Sequence, residues 1–295
     1  MTAAHKASAQ ATHRIAWDRV SFQAPKDWNF AAYSFKKNIS RIELEDDYAV
    51  RLEAEWTRPR QALDLERIRK RFAKATKQTH DSAVATHPVE NLPTGWNAYL
   101  YDMPEGLRLV SAFYLAPKSA LFCYFNVHFA ADDKGNPQRT LRGLTETLTY
   151  HDGDIIPWAV YDMSLDLPAA FRLASTTFQA GRKLMIFEWR LRRFYVWLFS
   201  LADMLLKEQQ PAEWVADFLN SYKGIKGPIF HSRNDGRVHY KRARRYPFGH
   251  FEEIGRMCYL YRADFRYDTD RNQILLSVLN YRRHADLMIL PSSLQ

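Results

Sequence analysis

Residues 21–35, SFQAPKDWNFAAYSF, return 143 positions later as SLDLPAAFRLASTTF, residues 164–178. Pro25 falls on Pro168, Trp28 on Phe171, Phe30 on Leu173 and Phe35 on Phe178. A stretch repeated at this offset either begins two similar units or stands alone, so the segments after each copy decide the architecture.

After the first copy, RIELE sets Ile42 and Leu44 against Arg41, Glu43 and Glu45. Beyond the turn-prone Asp46-Asp47, Val50, Leu52, Ala54 and Trp56 alternate with Arg51, Glu53 and Glu55. Period-two alternation on both sides of a turn reads as an antiparallel hairpin with one wet face. Leu65, Ile68, Phe72 and Ala75 then follow helical spacing. The strand candidates LRLVSAFYLA and SALFCYFNVHFA meet around Pro117-Lys118, and Asn136-Pro137 starts a helix carrying Leu141, Leu144 and Leu148.

The second half keeps that order. Met185 and Phe187 stand where Ile42 and Leu44 stood. After one inserted residue, Phe194, Val196 and Leu198 match Val50, Leu52 and Ala54. PAEWVADFLNSY is the matching helix, with Pro211 at its start and Trp214 and Phe218 one turn apart. CYLYRADFRYD and NQILLSVLNYR match the closing strand pair. The expected class is α+β: a tandem duplication of an antiparallel sheet flanked by helices, giving two pseudo-symmetric units. The expected divisions are a flexible tail over 1–14, a first unit over 15–152 and a second over 153–295 with an atypical C-terminus.

VSFQAPKDW (Val20 to Trp28), the hairpin and helix after it, and TLRGLTETL resemble the PsbP-like fold. That fold occurs in a photosystem II subunit, a nuclear import factor and secretion chaperones. The resemblance covers nearly the whole chain twice through a loose motif, a strand ending in Pro with an aromatic soon after. Phe171 departs from it where a tryptophan is expected, and RRHADLMILPSSLQ is a poor copy of the terminal helix. The resemblance implies a non-enzymatic binding module and transfers no binding residue.

Composition narrows the function classes. Of 295 residues, 46% are hydrophobic and 25% charged, the mixture of a folded globular protein. The 11 glycines form neither a dinucleotide-binding nor a Walker-type loop, so no cofactor is expected. Cys123 and Cys258 make no disulfide framework or C-x-x-C pair. MTAAHKASAQATHR lacks an apolar signal region, and FYVWLFSLADMLL is too short and interrupted for a membrane span. A cytoplasmic protein without a membrane span is expected. The net charge of +9 is spread evenly, 21 basic and 17 acidic residues in 1–150 against 21 and 16 in 151–295. Such a body attracts polyanions weakly.

The densest local feature is GRVHYKRARRYPFGHFEE, residues 236–253, with Arg237, Lys241, Arg242, Arg244 and Arg245 among Tyr240, Tyr246, Phe248, His239 and His250. It reads first as a solvated edge kept charged against aggregation. Alternatively, the cations neutralise phosphates while the aromatics offer stacking platforms. Arg67, Lys70, Arg71, Lys74 and Lys77 read as the wet face of the first helix. His151, Asp152 and Asp154 read as a turn rather than a cation site, and His80 and His87 as loop histidines. Cys123 and Cys258 read as small buried hydrophobes, and His250 with Glu252 or Glu253 as an acid–base couple lacking a nucleophile.

The two copies also differ informatively. Tyr195, Trp197 and Phe199 align with Arg51, Glu53 and Glu55, so one strand has become apolar on both faces. Something must cover that second face: the nearby helix, the first unit, or a captured partner, which makes the three residues a candidate interface. The expected function is a non-catalytic adaptor or chaperone-like protein acting through a protein partner. The alternatives are weak nucleic-acid or polyanion binding by 236–250, and an enzyme with an inter-unit pocket.

Overall fold

The computed structural model describes residues 11–36, 38–58, 62–116, 121–133, 135–225, 229–233, 236–241, 245–246, 249–250 and 260–287. The chain divides into two compact units. One runs to His151 and takes in Ala159–Tyr161; the other comprises Asp152–Trp158 and the chain from Asp162. Antiparallel sheet dominates both, with few helices.

In the first unit, β1 (Thr12–Trp17) and β2 (Val20–Pro25) form a hairpin, so strand begins within the segment expected to be a tail. A seven-stranded sheet follows: β3 (Asn29–Lys36), β4 (Ile39–Glu45), β5 (Val50–Thr57), β6 (Ala85–Pro88), β7 (Trp96–Asp102), β8 (Arg108–Ala116) and β9 (Leu121–Phe129). Its spatial order is β3-β4-β5-β9-β8-β7-β6. Helix α1 (Ala62–Ser82) joins β5 to β6, and α2 (Pro137–Glu146) precedes β10 (Thr149–Tyr150). The Asn136 side chain caps α2 by accepting from the Arg139 amide, with Pro137 in the first turn as its sequence requires. Ile42, Leu44, Leu52, Ala54, Phe125 and Val127 line the buried face, where Phe22 of β2 meets Phe125 with ring centroids 5.4 Å apart.

β11 (Ile155–Val160) runs across the division between the units, and β12 (Met163–Pro168) belongs to the second. Its main sheet contains β13 (Arg172–Gln179), β14 (Arg182–Trp189), β15 (Arg192–Ser200), β20 (Leu260–Asp268) and β21 (Gln273–Tyr281), ordered β13-β14-β15-β21-β20. Between β15 and β20 lie α3 (Ala202–Leu206), α4 (Pro211–Ser221) and two small hairpins. These are β16 (Ile229–Ser232) with β17 (Val238–Lys241), and β18 (Arg245–Tyr246) with β19 (Gly249–His250). A short α5 (His284–Leu287) follows β21.

Local geometry repeats at the offset found in the sequence. Trp28 donates its amide to the Pro25 carbonyl, and Phe171 donates to Pro168. The β3–β4 ladder shifts register between Phe30 and Ala32, the β13–β14 ladder between Leu173 and Ser175, leaving Ala31 and Ala174 as bulged residues. The next turns contain Asn38 and Gly181, both with positive φ. Asparagine is among the few residues besides glycine that enter that region readily.

Strand register corrects one alignment. Arg41 pairs with Glu55 and Leu184 with Trp197, so Trp197 corresponds to Glu55 and Tyr195 to Glu53. The second hairpin is one residue shorter than the first, not one longer. The first ladder passes from Leu44–Leu52 to Glu45–Val50, making Arg51 the extra residue of a bulge. Its side chain is aimed at Asp46 and Asp133, and it is buried although it stands in a strand's polar register.

That register compares the same sheet face in two environments. In the first unit, Arg41 lies 2.9 Å from Glu43 and 3.3 Å from Glu53, while Arg71 of α1 reaches Glu55 at 2.8 Å. In the second, Tyr195, Trp197 and Phe199 lie beneath α4, all at most 3% exposed. The candidate interface is therefore already covered by its own unit. The cause is a match of spacings: alternate strand residues recur about every 6.6 Å and helical residues four apart about every 6.0 Å. Tyr195, Trp197 and Phe199 thus meet Tyr222, Phe218 and Trp214 edge to face, with centroids 4.9–6.4 Å apart.

Candidate partner-binding groove

A recess of the second unit follows from how β16–β17 is anchored. Phe230 and Val238 are buried on one side of that hairpin. Asn220 of α4 holds it through both backbone groups of Phe230, accepting from the amide at 2.9 Å and donating to the carbonyl at 2.8 Å. An amide side chain thereby replaces one step of a β-ladder. β17 lies beside β20 but in a separate sheet. Between them is a groove of about 650 Å³, lined by Gly236–Tyr240, Tyr261–Phe265 and Tyr281.

Alternation along β20 gives the groove two characters. Tyr261, Ala263 and Phe265 pack on the core that contains Trp197, whereas Arg262 and Asp264 take the opposite face. Arg262 holds Asp264 through Nε at 2.7 Å and Nη2 at 3.3 Å. Burial nevertheless pushes the Asp264 carboxyl above its ordinary range, against the opposing pull of Arg262 and Arg237. Asp264 is half-buried and engages Arg262, and Arg237, at the exposed rim, adds its own electrostatic pull on that carboxylate. Tyr240 and Tyr261 stand with ring centroids 5.3 Å apart, and burial raises the Tyr281 hydroxyl's pKa. Guanidinium groups beside tyrosines can grip a carboxylate and pack its stem.

The basic-aromatic segment is only partly gathered here. Arg237 and Tyr240 line the groove, and Lys241 is exposed at the end of β17. Arg245 and Tyr246 form β18, paired with His250 and Gly249. Arg242, Arg244, Phe248, Glu252, Glu253 and Cys258 lie outside the described residues. Sequence reasoning missed Tyr261, Arg262, Asp264 and Tyr281. A signal was present: by register Arg262 and Asp264 occupy the places of Val110 and Ala112, which are wholly buried in the first unit.

Other candidates resolve structurally. Cys123 is a free, buried thiol whose pKa burial pushes far up, which suppresses the thiolate. The His151 ring lies 2.8 Å from the Ser21 hydroxyl. His80 is in the last turn of α1 and His87 on β6, 3.1 Å from Asp102, so neither is a loop histidine. Arg67, Lys70, Arg71, Lys74 and Lys77 are exposed on α1. Among the described residues, no three His, Cys, Asp or Glu side chains gather as metal ligands, and no helix is long and apolar enough to cross a membrane. The sequence matches no protein-family profile and no curated protein.

Proposed function

We propose that this chain is a non-catalytic binding protein, an adaptor or chaperone-like module, that holds an acidic segment of a protein partner in the groove between β17 and β20. The carrying observation is the groove itself: Arg237 and Arg262 set among Tyr240, Tyr261 and Tyr281. Its mixed lining favours a peptide over a uniform polyanion, because Asp264 sets a carboxylate between the arginines. Tandem duplication of one α+β unit belongs to the same proposal. It is supported by the paired proline turns, the paired bulges at Ala31 and Ala174, and the common order of three meandering strands followed by the unit's last long strand. The PsbP-like resemblance rests on Val20 to Trp28 and the elements after it. A cytoplasmic setting fits the free thiol of Cys123.

Nucleic-acid binding is the second reading, favoured by the exposed Arg237 and Lys241 beside Tyr240. Fluorescence anisotropy with an acidic valine–glutamate peptide and a single-stranded oligonucleotide separates the two. Replacing Arg237 and Lys241 by Ala is expected to weaken the peptide about tenfold, with the oligonucleotide bound weakly by both proteins at physiological salt. Tight oligonucleotide binding that the double substitution weakens, with a flatter salt dependence, would establish the second reading instead.

A further inference from the structure

The turn joining β14 to β15 is a two-residue loop, Arg190-Leu191, closed by the Trp189–Arg192 pair. Such loops favour Asn or Gly where φ is positive, yet Arg190 stands there at φ 54 and Leu191 beside it is 62% exposed. Turn geometry explains neither residue. Strand pairing and the Asp286 clamp gather Phe171–Arg172, Glu188–Arg193 and Tyr281–Asp286 around this tip. These segments hold six arginines and two carboxylates. Glu188 engages Arg193 at 2.8 Å, and Asp286 engages Arg192 at 2.9 Å. Arg172, Arg190, Arg282 and Arg283 are exposed and, among the described residues, have no carboxylate as an ion-pair partner; His284 is exposed beside them. Asp154, whose carbonyl accepts the Ala169 amide, borders the patch near Arg172 and leaves it cationic.

We propose that this end of the second sheet docks on an anionic lipid surface, with Leu191 entering the acyl boundary and the surrounding arginines meeting the headgroups. An apolar side chain at the tip of a hairpin, ringed by cations, combines the two attractions that hold a peripheral protein on such a surface. Trp189 lies behind the tip, with the Cζ atoms of Arg192 and Arg190 at 4.5 and 5.4 Å from its ring centroid and the Phe171 ring at 5.9 Å. A ring so surrounded leaves little open face for a base, which counts against a single-stranded nucleic acid. Leu191 likewise adds nothing to a contact with a phosphate backbone in water. The fold does not demand a basic tip here: the corresponding turn of the first unit, between β4 and β5, carries Asp46 and Asp47. This surface is distinct from the acidic-segment reading and stands without it.

The test uses the full chain and phosphatidylcholine vesicles with or without about one quarter phosphatidylserine, read by co-sedimentation at physiological salt. The phosphatidylserine vesicles should be bound about tenfold more tightly or better. Each arginine near an anionic surface is worth about fivefold, so Arg282→Ala with Arg283→Ala should weaken binding about twentyfold. Leu191→Ser should weaken it about fivefold while leaving the binding of a single-stranded oligonucleotide unchanged. All three side chains are exposed, and circular dichroism would verify that the variants keep the fold. No vesicle binding, equal binding of the two vesicle types, or vesicle binding untouched by either variant would overturn the proposal. Oligonucleotide binding that the arginine pair weakens, without vesicle binding, would assign the patch to nucleic acid and overturn it equally.

Discussion

Asp286 is 7% exposed and yet ionised. Burial alone would raise its pKa. The Arg192 guanidinium, donating at 2.9 Å, and the amides of Arg282 and Arg283 outweigh that and hold it at about 2. The ordinary value is 3.8, so the folded state binds the proton less readily than the unfolded chain. The stabilisation is therefore complete above roughly pH 4 and is lost as pH falls through about 2. At about 1.4 kcal/mol per pKa unit the clamp contributes on the order of 2 kcal/mol. Asp286→Asn should lower stability by about that amount at neutral pH, with the gap closing towards about pH 2 in urea melts. A gap of equal size at both ends would show that ionisation of Asp286 is not what stabilises this corner. None of this was legible in RRHADL, because Arg192 is 94 positions away. Arg51 was hidden for a related reason: counting alternation assigns it to the wet face, and only the bulge turns it towards Asp46 and Asp133.

At the scale of elements, the clearest difference lies between a strand face held by charges and the same face held by rings. α1 reaches its sheet with Arg71 on Glu55, whereas α4 meets its own through two interlocked rows of aromatic side chains. Trp197 is wholly buried in that contact, and truncating a buried aromatic typically costs about 3–5 kcal/mol. Trp197→Ala should therefore destabilise the chain by that order at every protein concentration, read from denaturant midpoints alongside sedimentation. Unchanged stability with weakened self-association would restore the interface reading and remove α4 as the cover. The sequence showed that Tyr195, Trp197 and Phe199 needed covering, and it showed Trp214 and Phe218 one helical turn apart. It did not say that the helix lies on that side of the sheet. The hairpin length was misjudged because an insertion and a bulge on opposite sides of one turn leave the same apolar alternation.

At the scale of the whole molecule, the offset repeat was legible in Pro25 and Pro168 and in the aromatic positions after them, because turn and core residues are fixed by backbone geometry. The groove was not. It arises where the proposed second copy departs from the first, with Arg262 and Asp264 in place of Val110 and Ala112 and, among the described residues, no strand in the place of β7. Half of its wall lay in a segment conspicuous for charge, and half in a strand that reads as ordinary sheet. In the proposed function, Arg237 and Lys241 select an acidic segment at that groove. Both side chains are exposed, so reversing them to Glu should leave the fold intact, as circular dichroism would verify. Titrating acetyl-(Val-Glu)4-amide and acetyl-(Val-Lys)4-amide into each protein tests this directly. The parent chain should prefer the glutamate peptide by about tenfold or more, and the Arg237→Glu, Lys241→Glu chain should prefer the lysine peptide. An unaltered preference in the reversed chain, or no preference in the parent, would contradict the account.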